Sequence, residues 1–235
     1  MLQPSESFLK SAIDLGIEFE RGELEALGEY LALLLDANTR FNLTSVTDPD
    51  EAWTRHILDS LTLLPFLHSA QATSAIDVGS GGGLPGVPLA IALPEVQVTL
   101  LEATGKKARF LEEVAHKLGL RNVRVVNQRA ESAGQDPAHR ERYDIVIARA
   151  VGKLPVLLEL TVPFAKVGGN VLAMKGEKAA QEITESKQTL HMLHARVAES
   201  AHTPGGVIVV IEKQRKTPGK YPRAPGEPSR SPLGR

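Results

Sequence analysis

The first seventy residues carry apolar positions at helical spacing. Between residues 24 and 35, leucines recur every three to four positions with acidic side chains on the opposite face, which predicts an amphipathic helix. A turn-rich interval over 44–49 ends this helix, and Asp48 or Asp50 can cap a second one. The apolar side of the second helix carries Trp53, Ile57, Leu61 and Leu64. Because two or three helices bury little apolar area alone, we expect residues 1–72 to pack onto the rest of the chain.

From residue 73 to residue 212, short apolar runs typical of β-strands alternate with helix-like stretches. Almost wholly apolar strands separated by helices predict an α/β fold with a mostly parallel sheet covered on both faces. The last two runs lack a helix-length connection, so we expect an antiparallel hairpin at one edge. The seven predicted strands cover residues 74–78, 96–101, 123–126, 143–148, 169–174, 196–200 and 207–211. The predicted helices between them cover residues 85–93, 106–118, 154–165 and 178–193.

The overall charge of −1 conceals an asymmetry between three segments. Residues 1–72 carry −8, residues 73–212 carry +1, and residues 213–235 carry +6. The last segment is rich in Pro, Gly, Lys and Arg, so we expect it to be irregular or ordered only on contact. Its cations suit a nucleic-acid backbone, while a solvated, disordered terminus is the alternative. We therefore expect a helical extension (1–72), an α/β domain (73–212) and a basic tail (213–235).

Composition excludes several classes of protein. The chain has no cysteine, which removes disulfide scaffolds, thiolate metal sites and cysteine nucleophiles. Its apolar runs are too short to span a membrane, and its first residues lack the layout of a signal peptide. We expect a cytoplasmic protein, with a monomer favoured.

The strongest motif is a glycine-rich loop at residues 77–86, directly after the first predicted strand. Gly79, Gly81 and Gly83 let the backbone turn tightly and approach a ligand closely. Counted from Gly81, the loop also matches the G-x-G-x-x-G pattern of dinucleotide-binding proteins. The loop therefore predicts an adenine-nucleotide-like ligand at the carboxyl end of the first strand.

Two acidic residues refine the choice of ligand. Glu102 ends the second strand, where a carboxylate can accept hydrogen bonds from both ribose hydroxyls. Asp77 ends the first strand, where a carboxylate is unfavourable beside a pyrophosphate but favourable beside an ammonium or sulfonium group. This charge argument favours S-adenosylmethionine over NAD, although an NAD-dependent oxidoreductase stays open as the alternative.

Other polar residues fall at the ends of later strands or on one helix face. Glu131 follows the third strand and Arg149 follows the fourth, where each can contact cofactor or substrate or form a surface salt bridge. His56, Asp59 and Ser60 have the spacing of one helix face. A serine triad is not expected there, because one helix cannot aim all three groups in sequence; substrate contact and simple packing both remain. His191 and His194 have helical spacing, but no set of carboxylates completes a metal site with them, so we expect none.

The acceptor chemistry can be narrowed if S-adenosylmethionine is the donor. Methylation of pyrimidine C5 normally needs a cysteine thiolate, and the chain has none. Exocyclic amine methylation often uses an Asn/Asp-Pro-Pro-aromatic motif after the fourth strand, whereas residues 148–151 read Ala-Arg-Ala-Val. A lone-pair acceptor such as guanine N7 needs only in-line positioning, which is compatible with this sequence.

Taken together, the ordered motifs resemble the bacterial small-subunit rRNA methyltransferase G family, also known as the glucose-inhibited division protein B group. The resemblance covers nearly the whole chain and does not depend on the glycine loop alone. Its motifs lie at residues 41–44, 56–60, 77–88, 106–111, 129–131, 143–144, 149–150, 175–176 and 220–223, followed by Gly226 and Pro228.

The resemblance implies a Rossmann-like class I methyltransferase that uses S-adenosylmethionine to methylate N7 of guanosine 527 in 16S rRNA. A noncatalytic RNA-binding or ribosome-assembly factor on the same fold is the alternative from another class. The expected cofactor-binding residues are Asp77, Gly79, Gly81, Gly83, Leu84, Glu102, Ala103, Thr104, Ala130, Glu131 and Arg149. The residues expected to position the substrate are Arg149, His56, Asp59 and Ser60. The residues expected to bind RNA are Lys175, Lys213, Arg215, Lys216, Lys220 and Arg223.

Overall fold

A computed structural model describes residues 1–234, in which one seven-stranded sheet carries helices on both faces. The strand order is β3-β2-β1-β4-β5-β7-β6, with parallel pairing from β3 to β5 and antiparallel pairing for β5, β7 and β6. The strands are β1 (Ser74–Val78), β2 (Gln97–Leu101), β3 (Val123–Val126), β4 (Tyr143–Arg149), β5 (Ala165–Lys175), β6 (Ala195–Thr203) and β7 (Gly206–Lys213).

The predicted α/β fold, with its mostly parallel sheet and antiparallel edge hairpin, is confirmed. The hairpin enters the sheet through its second strand, because β7 pairs with β5 and leaves β6 at the edge. In the register of the central strands, Asp77 of β1 lies opposite Leu100 of β2 and Ile147 of β4. The carboxyl ends of these strands therefore meet at one edge of the sheet, the usual position of ligand sites in such folds.

Two predicted helices are divided in the structure. Residues 154–161 are helical, but residues 162–164 form a 3-10 turn around Pro163, since proline lacks the N–H that would continue the helix. The predicted helix over 178–193 is two helices that meet at Ser186. The helices are α1 (Glu6–Asp14), α2 (Glu23–Asn38), α3 (Pro49–Ala52), α4 (Asp59–Leu61), α5 (Leu64–Ser69), α6 (Gly86–Ala92), α7 (Gly105–Lys117), α8 (Ala130–Ala133), α9 (Leu154–Thr161), α10 (Ala179–Glu185), α11 (Lys187–Leu193) and α12 (Glu227–Arg230).

The N-terminal helices cover one face of the sheet, as predicted. Their apolar side chains, such as Phe8 and Leu31, belong to the same buried cluster as Val87 of α6 and Leu100 of β2. Asp48 caps α3 by accepting a hydrogen bond from the Glu51 amide at 2.8 Å. Because the two regions share one core, residues 1–72 are positioned by the sheet.

The second N-terminal helix contains a segment that periodicity did not predict. Trp53–Leu58 is a π-helix between α3 and α4. Since a π-helix makes hydrogen bonds to the fifth residue along, the spacing of side chains around it differs from that of an α-helix. The alignment expected for His56, Asp59 and Ser60 is therefore altered.

The basic tail is folded against the opposite face of the sheet. Residues 214–226 contain no helix or strand, as the first alternative predicted, but they are ordered by contacts within the chain. Tyr221 and Leu233 are buried in the apolar cluster that contains α9. The Arg140 guanidinium donates hydrogen bonds to the carbonyl oxygens of Thr217 and Tyr221 at 2.8 and 2.7 Å. These contacts join the tail to the α/β layers; Arg235, its last residue, lies outside the described residues.

Candidate functional site

The glycine loop leaves β1 and turns across the end of β2. The amides of Gly79 and Ser80 both donate to the Leu101 carbonyl, at 2.8 and 3.1 Å. Gly79 has a φ of +77° and Gly81 a φ of +58°, a left-handed backbone that strains other residues. The sequence folds here as a tight turn because these positions carry no Cβ.

Asp77 supports the loop from below. Its Oδ2 accepts a hydrogen bond from the Gly86 amide at 3.1 Å, and the residue is only 1% exposed. Burial raises the pKa of this carboxyl to about 7, against the lowering effect of the Gly86 amide and Arg149. The carboxyl therefore lies beneath the loop, and its expected contact with a cationic ligand group stays a prediction.

Glu102 holds the loop from the side of β2. Its two carboxylate oxygens accept hydrogen bonds from the amides of Gly81, at 3.0 Å, and Thr104, at 2.7 Å. The side-chain amide of Asn127 donates to the Glu102 carbonyl at 2.8 Å and so fixes the end of the strand. A carboxylate is therefore positioned beside the loop, where the ribose hydroxyls of an adenosine ligand were expected.

The N-terminal extension reaches the glycine loop, which the sequence did not reveal. The Tyr30 hydroxyl in α2 donates to the Gly82 carbonyl at 2.9 Å and is completely buried. An ideal Cβ at Gly82 would lie 2.7 Å from Leu34 Cδ1, so the helix packs directly on the loop. The extension thus has more than the packing role we expected.

A cavity of about 460 Å³ lies above the glycine loop. One wall is the loop and the end of β4, and the other comes from the N-terminal extension, including Leu43, Thr44 and His56 of the motifs at residues 41–44 and 56–60. The lining residues are Leu43, Thr44, Ser45, Val46, Arg55, His56, Gly79, Ser80, Gly81, Gly82, Leu84, Lys107, Arg149, Ala150 and Val151. We call this the loop cavity.

A second cavity, of about 560 Å³, lies at the ends of β4, β5 and the β6–β7 turn. It is the larger of the two, although the glycine loop does not line it. Arg149 and Ala150 line both cavities, so the two spaces meet at the end of β4. We call the second space the β5 cavity, and its polar lining includes Asp59, Lys175 and Glu182.

Arg149 is held in place at this junction. Its Nη2 donates to the Arg55 carbonyl at 3.0 Å, and its Nη1 lies 3.4 Å from Asp59 Oδ2. Nη1 is buried and makes no hydrogen bond within the described chain. The guanidinium is therefore fixed by the π-helix region, with part of its donor capacity unused.

His56, Asp59 and Ser60 do not form one constellation. His56 Nε2 lies 2.7 Å from Thr44 Oγ1, Asp59 pairs with Arg149, and the Ser60 hydroxyl donates to the His56 carbonyl at 2.5 Å. Burial, followed by the charge of Arg149, lowers the pKa of His56 to about 4, so the imidazole is neutral at physiological pH. Of the three, His56 lines the loop cavity and Asp59 the β5 cavity, while Ser60 is buried.

The remaining predicted cofactor contacts lie beside the loop cavity and do not line it. Gly83 is buried; Ala103 and Thr104 are exposed at the end of β2; Ala130 is half-buried at the start of α8. Glu131 is buried, and its Oε1 accepts a hydrogen bond from the Gly226 amide of the tail at 2.7 Å. The predicted adenine side of the site is therefore joined to the tail.

The cations expected to bind RNA divide into two groups, which corrects part of the prediction. Lys213 is buried, with its Nζ 2.8 Å from Glu141 Oε1 and donating to the Ala165 carbonyl. Arg223 donates to both carboxylate oxygens of the buried Glu159, at 2.8 and 2.6 Å.

Lys175 lies in the β5 cavity and pairs with Glu182 at 2.8 Å. Arg215, Lys216 and Lys220 are exposed. Among the tail cations proposed to bind RNA, these three are therefore free to meet a phosphate, whereas Lys213 and Arg223 hold the fold together.

The described part of the chain contains neither a metal-binding cluster nor a membrane-spanning helix. Residues 1–234 contain no cluster of three or more His, Asp or Glu side chains that would hold a metal ion. Over the same residues, no helix is long and apolar enough to cross a membrane.

Comparison with known proteins places these features in a family. Residues 23–206 match the family model described as rRNA small subunit methyltransferase G. The chain is 46% identical over 222 residues to the ribosomal RNA small subunit methyltransferase G of Sorangium cellulosum, with 94% of this chain and 92% of the relative covered. It is 41% identical to the protein of the same name from Leuconostoc citreum, with 97% and 98% covered.

Among solved structures, an O-methyltransferase from Bacillus cereus in complex with SAH matches with a TM-score of 0.56. That match is 15% identical and covers 86% of this chain and 94% of the other. At this level of identity the likeness concerns the fold alone, which is that of class I methyltransferases.

Proposed function

Because the chain belongs to the rRNA small subunit methyltransferase G family, we propose that it methylates N7 of guanosine 527 in 16S rRNA. S-adenosylmethionine is the proposed methyl donor. Membership confirms the resemblance drawn from the motifs and favours methyl transfer over the NAD-dependent alternative. Since its substrate would be ribosomal RNA, the proposed place of action is the cytoplasm.

The loop cavity suits the proposed donor. Gly79 and Gly81 present bare backbone to the cavity, and Glu102 lies beside the loop with a carboxylate suited to ribose hydroxyls. Three cations, Arg55, Lys107 and Arg149, also line the cavity, so the choice of S-adenosylmethionine over a phosphate-bearing ligand rests on family membership. When bound, S-adenosylmethionine supplies an electrophilic methyl group on a sulfonium centre.

The observation that carries the proposal is the junction of the two cavities at Arg149 and Ala150. A nucleoside in the β5 cavity and a donor in the loop cavity would meet there without any intervening side chain acting as nucleophile. The N7 atom of guanine has a free lone pair, so its methylation needs orientation and water exclusion more than a general base. His56, whose pKa burial lowers to about 4, is a weak base, and the Ser60 hydroxyl donates its proton to the His56 carbonyl, so both fit this requirement.

Asp59 and Arg149 are the proposed positioning residues on the acceptor side. Both line the β5 cavity, and their ion pair of 3.4 Å fixes a carboxylate beside a guanidinium. A carboxylate can accept hydrogen bonds from guanine N1–H and the neighbouring 2-amino group. Adenine lacks this pair of adjacent donors.

The test is transfer of labelled methyl from S-adenosylmethionine to small-subunit RNA, followed by mapping of the modified nucleotide. Chemical cleavage specific for N7-methylguanosine is expected at position 527, and it should disappear when that guanosine is replaced by adenosine. The Glu102→Gln variant should bind the donor at least tenfold more weakly by titration calorimetry, with Glu95→Gln on the protein surface as the matched control. Tight binding of RNA without any methyl transfer would support the noncatalytic alternative instead.

A further inference from the structure

A small cationic groove lies next to the loop cavity, between the end of α2 and the first turns of α7. It encloses about 200 Å³ and is lined by Arg40, Phe41, Lys106, Arg109, Phe110 and Glu113. Three of these six residues are cations and one is an acid. None of these six residues is among the expected cofactor-binding or RNA-binding residues.

The cations of the groove are available to an external anion. Lys106 and Arg109 are exposed and form no ion pair within residues 1–234. Arg40 pairs with Asp36 at 2.9 Å, but both side chains are more than half exposed, and such surface pairs contribute little. An incoming phosphate can therefore replace Asp36 as the partner of Arg40.

The groove and the loop cavity are lined by residues that are close in sequence on two sides. Phe41 is followed two residues later by Leu43, which lines the loop cavity, and Lys106 is followed by Lys107, which also lines it. Arg55 and Arg149 extend the run of cations along the wall of that cavity. An anionic chain in the groove would therefore be led along these cations to Arg149, where the target nucleoside is proposed to meet the donor.

The tail offers a weaker surface for the same purpose. Lys213 is paired with the partly exposed Glu141 and Arg223 with the buried Glu159, which leaves Arg215, Lys216 and Lys220 as the exposed cations of the six expected to bind RNA. The tail also packs on the α9 face, whereas Arg40 and Phe41 continue the helices that cover the opposite face. The +6 charge of residues 213–235 thus overstates the free positive charge that the folded tail presents.

We propose that the groove formed by Arg40, Lys106 and Arg109 binds phosphates of the RNA strand next to the target nucleotide. The proposal rests on the proposed function, since it assumes an RNA substrate. The guanidinium of Arg40 lies 5.6 Å from the centre of the Phe41 ring, which holds it on the groove wall. Three cations in one groove suit successive phosphates of a single strand, and the contacts carry no sequence information.

The test compares two triple variants that lose the same charge. The groove variant is Arg40→Gln/Lys106→Gln/Arg109→Gln, and the matched tail variant is Arg215→Gln/Lys216→Gln/Lys220→Gln. All six side chains are exposed and none lines the loop cavity. The probe is a 16S rRNA transcript, bound at a series of salt concentrations in the absence of S-adenosylmethionine, and circular dichroism checks that both variants are folded.

The groove variant should bind the transcript about tenfold or more weakly at low salt, and its slope of log affinity against log salt should fall by about 2 to 3. The tail variant should stay within about twofold of the parent. A larger loss in the tail variant, or equal losses in both, would overturn the proposal. Because binding is measured without methyl transfer, failure of the proposed reaction gives a different result: no product, with the groove dependence intact.

Discussion

Replacing Asp77 by asparagine isolates the cost of holding an acid beneath the glycine loop. Burial raises the pKa of the Asp77 carboxyl from 3.8 to about 7, although the Gly86 amide and Arg149 act in the opposite direction. In the unfolded chain the carboxyl has its ordinary pKa near 4. Between these two values the folded protein keeps a proton that the unfolded chain releases.

The sign and size of the effect follow from this difference. Over this interval each pH unit lowers the free energy of unfolding by about 1.4 kcal/mol, because the unfolded state binds fewer protons. The contribution of Asp77 to stability is fully present below about pH 4 and is lost as the pH rises to about 7, a total change of about 4 kcal/mol. Asp77→Asn removes this titration, so the variant should gain about that much relative to the parent across the interval.

Urea denaturation of both proteins from about pH 4.5 to about pH 8.5 measures the effect. Subtracting the two free energies cancels the titration of other groups, including His56, since these are common to both proteins. The asparagine side chain can shift the free-energy difference by a constant amount through its own hydrogen bonds. The test is therefore how that difference changes with pH. A difference that stays flat or shrinks as the pH rises would refute a buried, protonated Asp77.

Three further predictions concern single contacts. Tyr30→Phe leaves the Gly82 carbonyl without its donor, so it should cost about 1 to 3 kcal/mol of stability. It should also weaken S-adenosylmethionine binding in calorimetry, and unchanged affinity would contradict a role for α2 at the loop. Arg223→Met leaves the buried Glu159 with the backbone amide of residue 223 but without its cation. The change should cost about 3 to 5 kcal/mol in urea denaturation, whereas the exposed control Arg215→Met should change little. Partial burial opposes ionisation of Asp144, but hydrogen bonds from Lys166, Ser74 and Thr73 hold its pKa well below the usual value. Asp144→Asn should therefore lose about 1 to 3 kcal/mol at neutral pH, and this loss should fade below about pH 4; a loss that persists in acid would exclude the carboxylate as its cause.

Much of the fold could be predicted because its signals are local. Each strand is a short apolar run, and the predicted β1 (residues 74–78) agrees with the observed strand. The division of residues 178–193 into two helices could not be predicted, since the break at Ser186 comes with burial of that side chain and a hydrogen bond to the Glu182 carbonyl. The π-helix of Trp53–Leu58 was missed for a similar reason, because the apolar spacing there also suits an α-helix.

The candidate site was only partly visible in the sequence. Gly79, Gly81, Leu84 and Arg149 follow strands or lie in the glycine loop, and the structure brings them to one cavity. Tyr30 was missed because its partner, the Gly82 carbonyl, is a backbone atom fifty-two positions along the chain. A backbone acceptor leaves no trace in residue type, so no motif could have indicated this contact.

The sequence by itself determined the succession of strands and helices along the chain, the glycine turn and the absence of cysteine chemistry. Each of these depends on neighbouring residues or on composition. Tertiary structure decided which charges remain free. Lys213 and Arg223 count as cations in the sequence, but carboxylates from Glu141 and Glu159 neutralise them in the fold. Lys106 and Arg109 lie in a segment with little net charge, yet they remain exposed beside the loop cavity. Net charge is a sum along the chain, whereas binding depends on which charges the folded surface leaves unpaired.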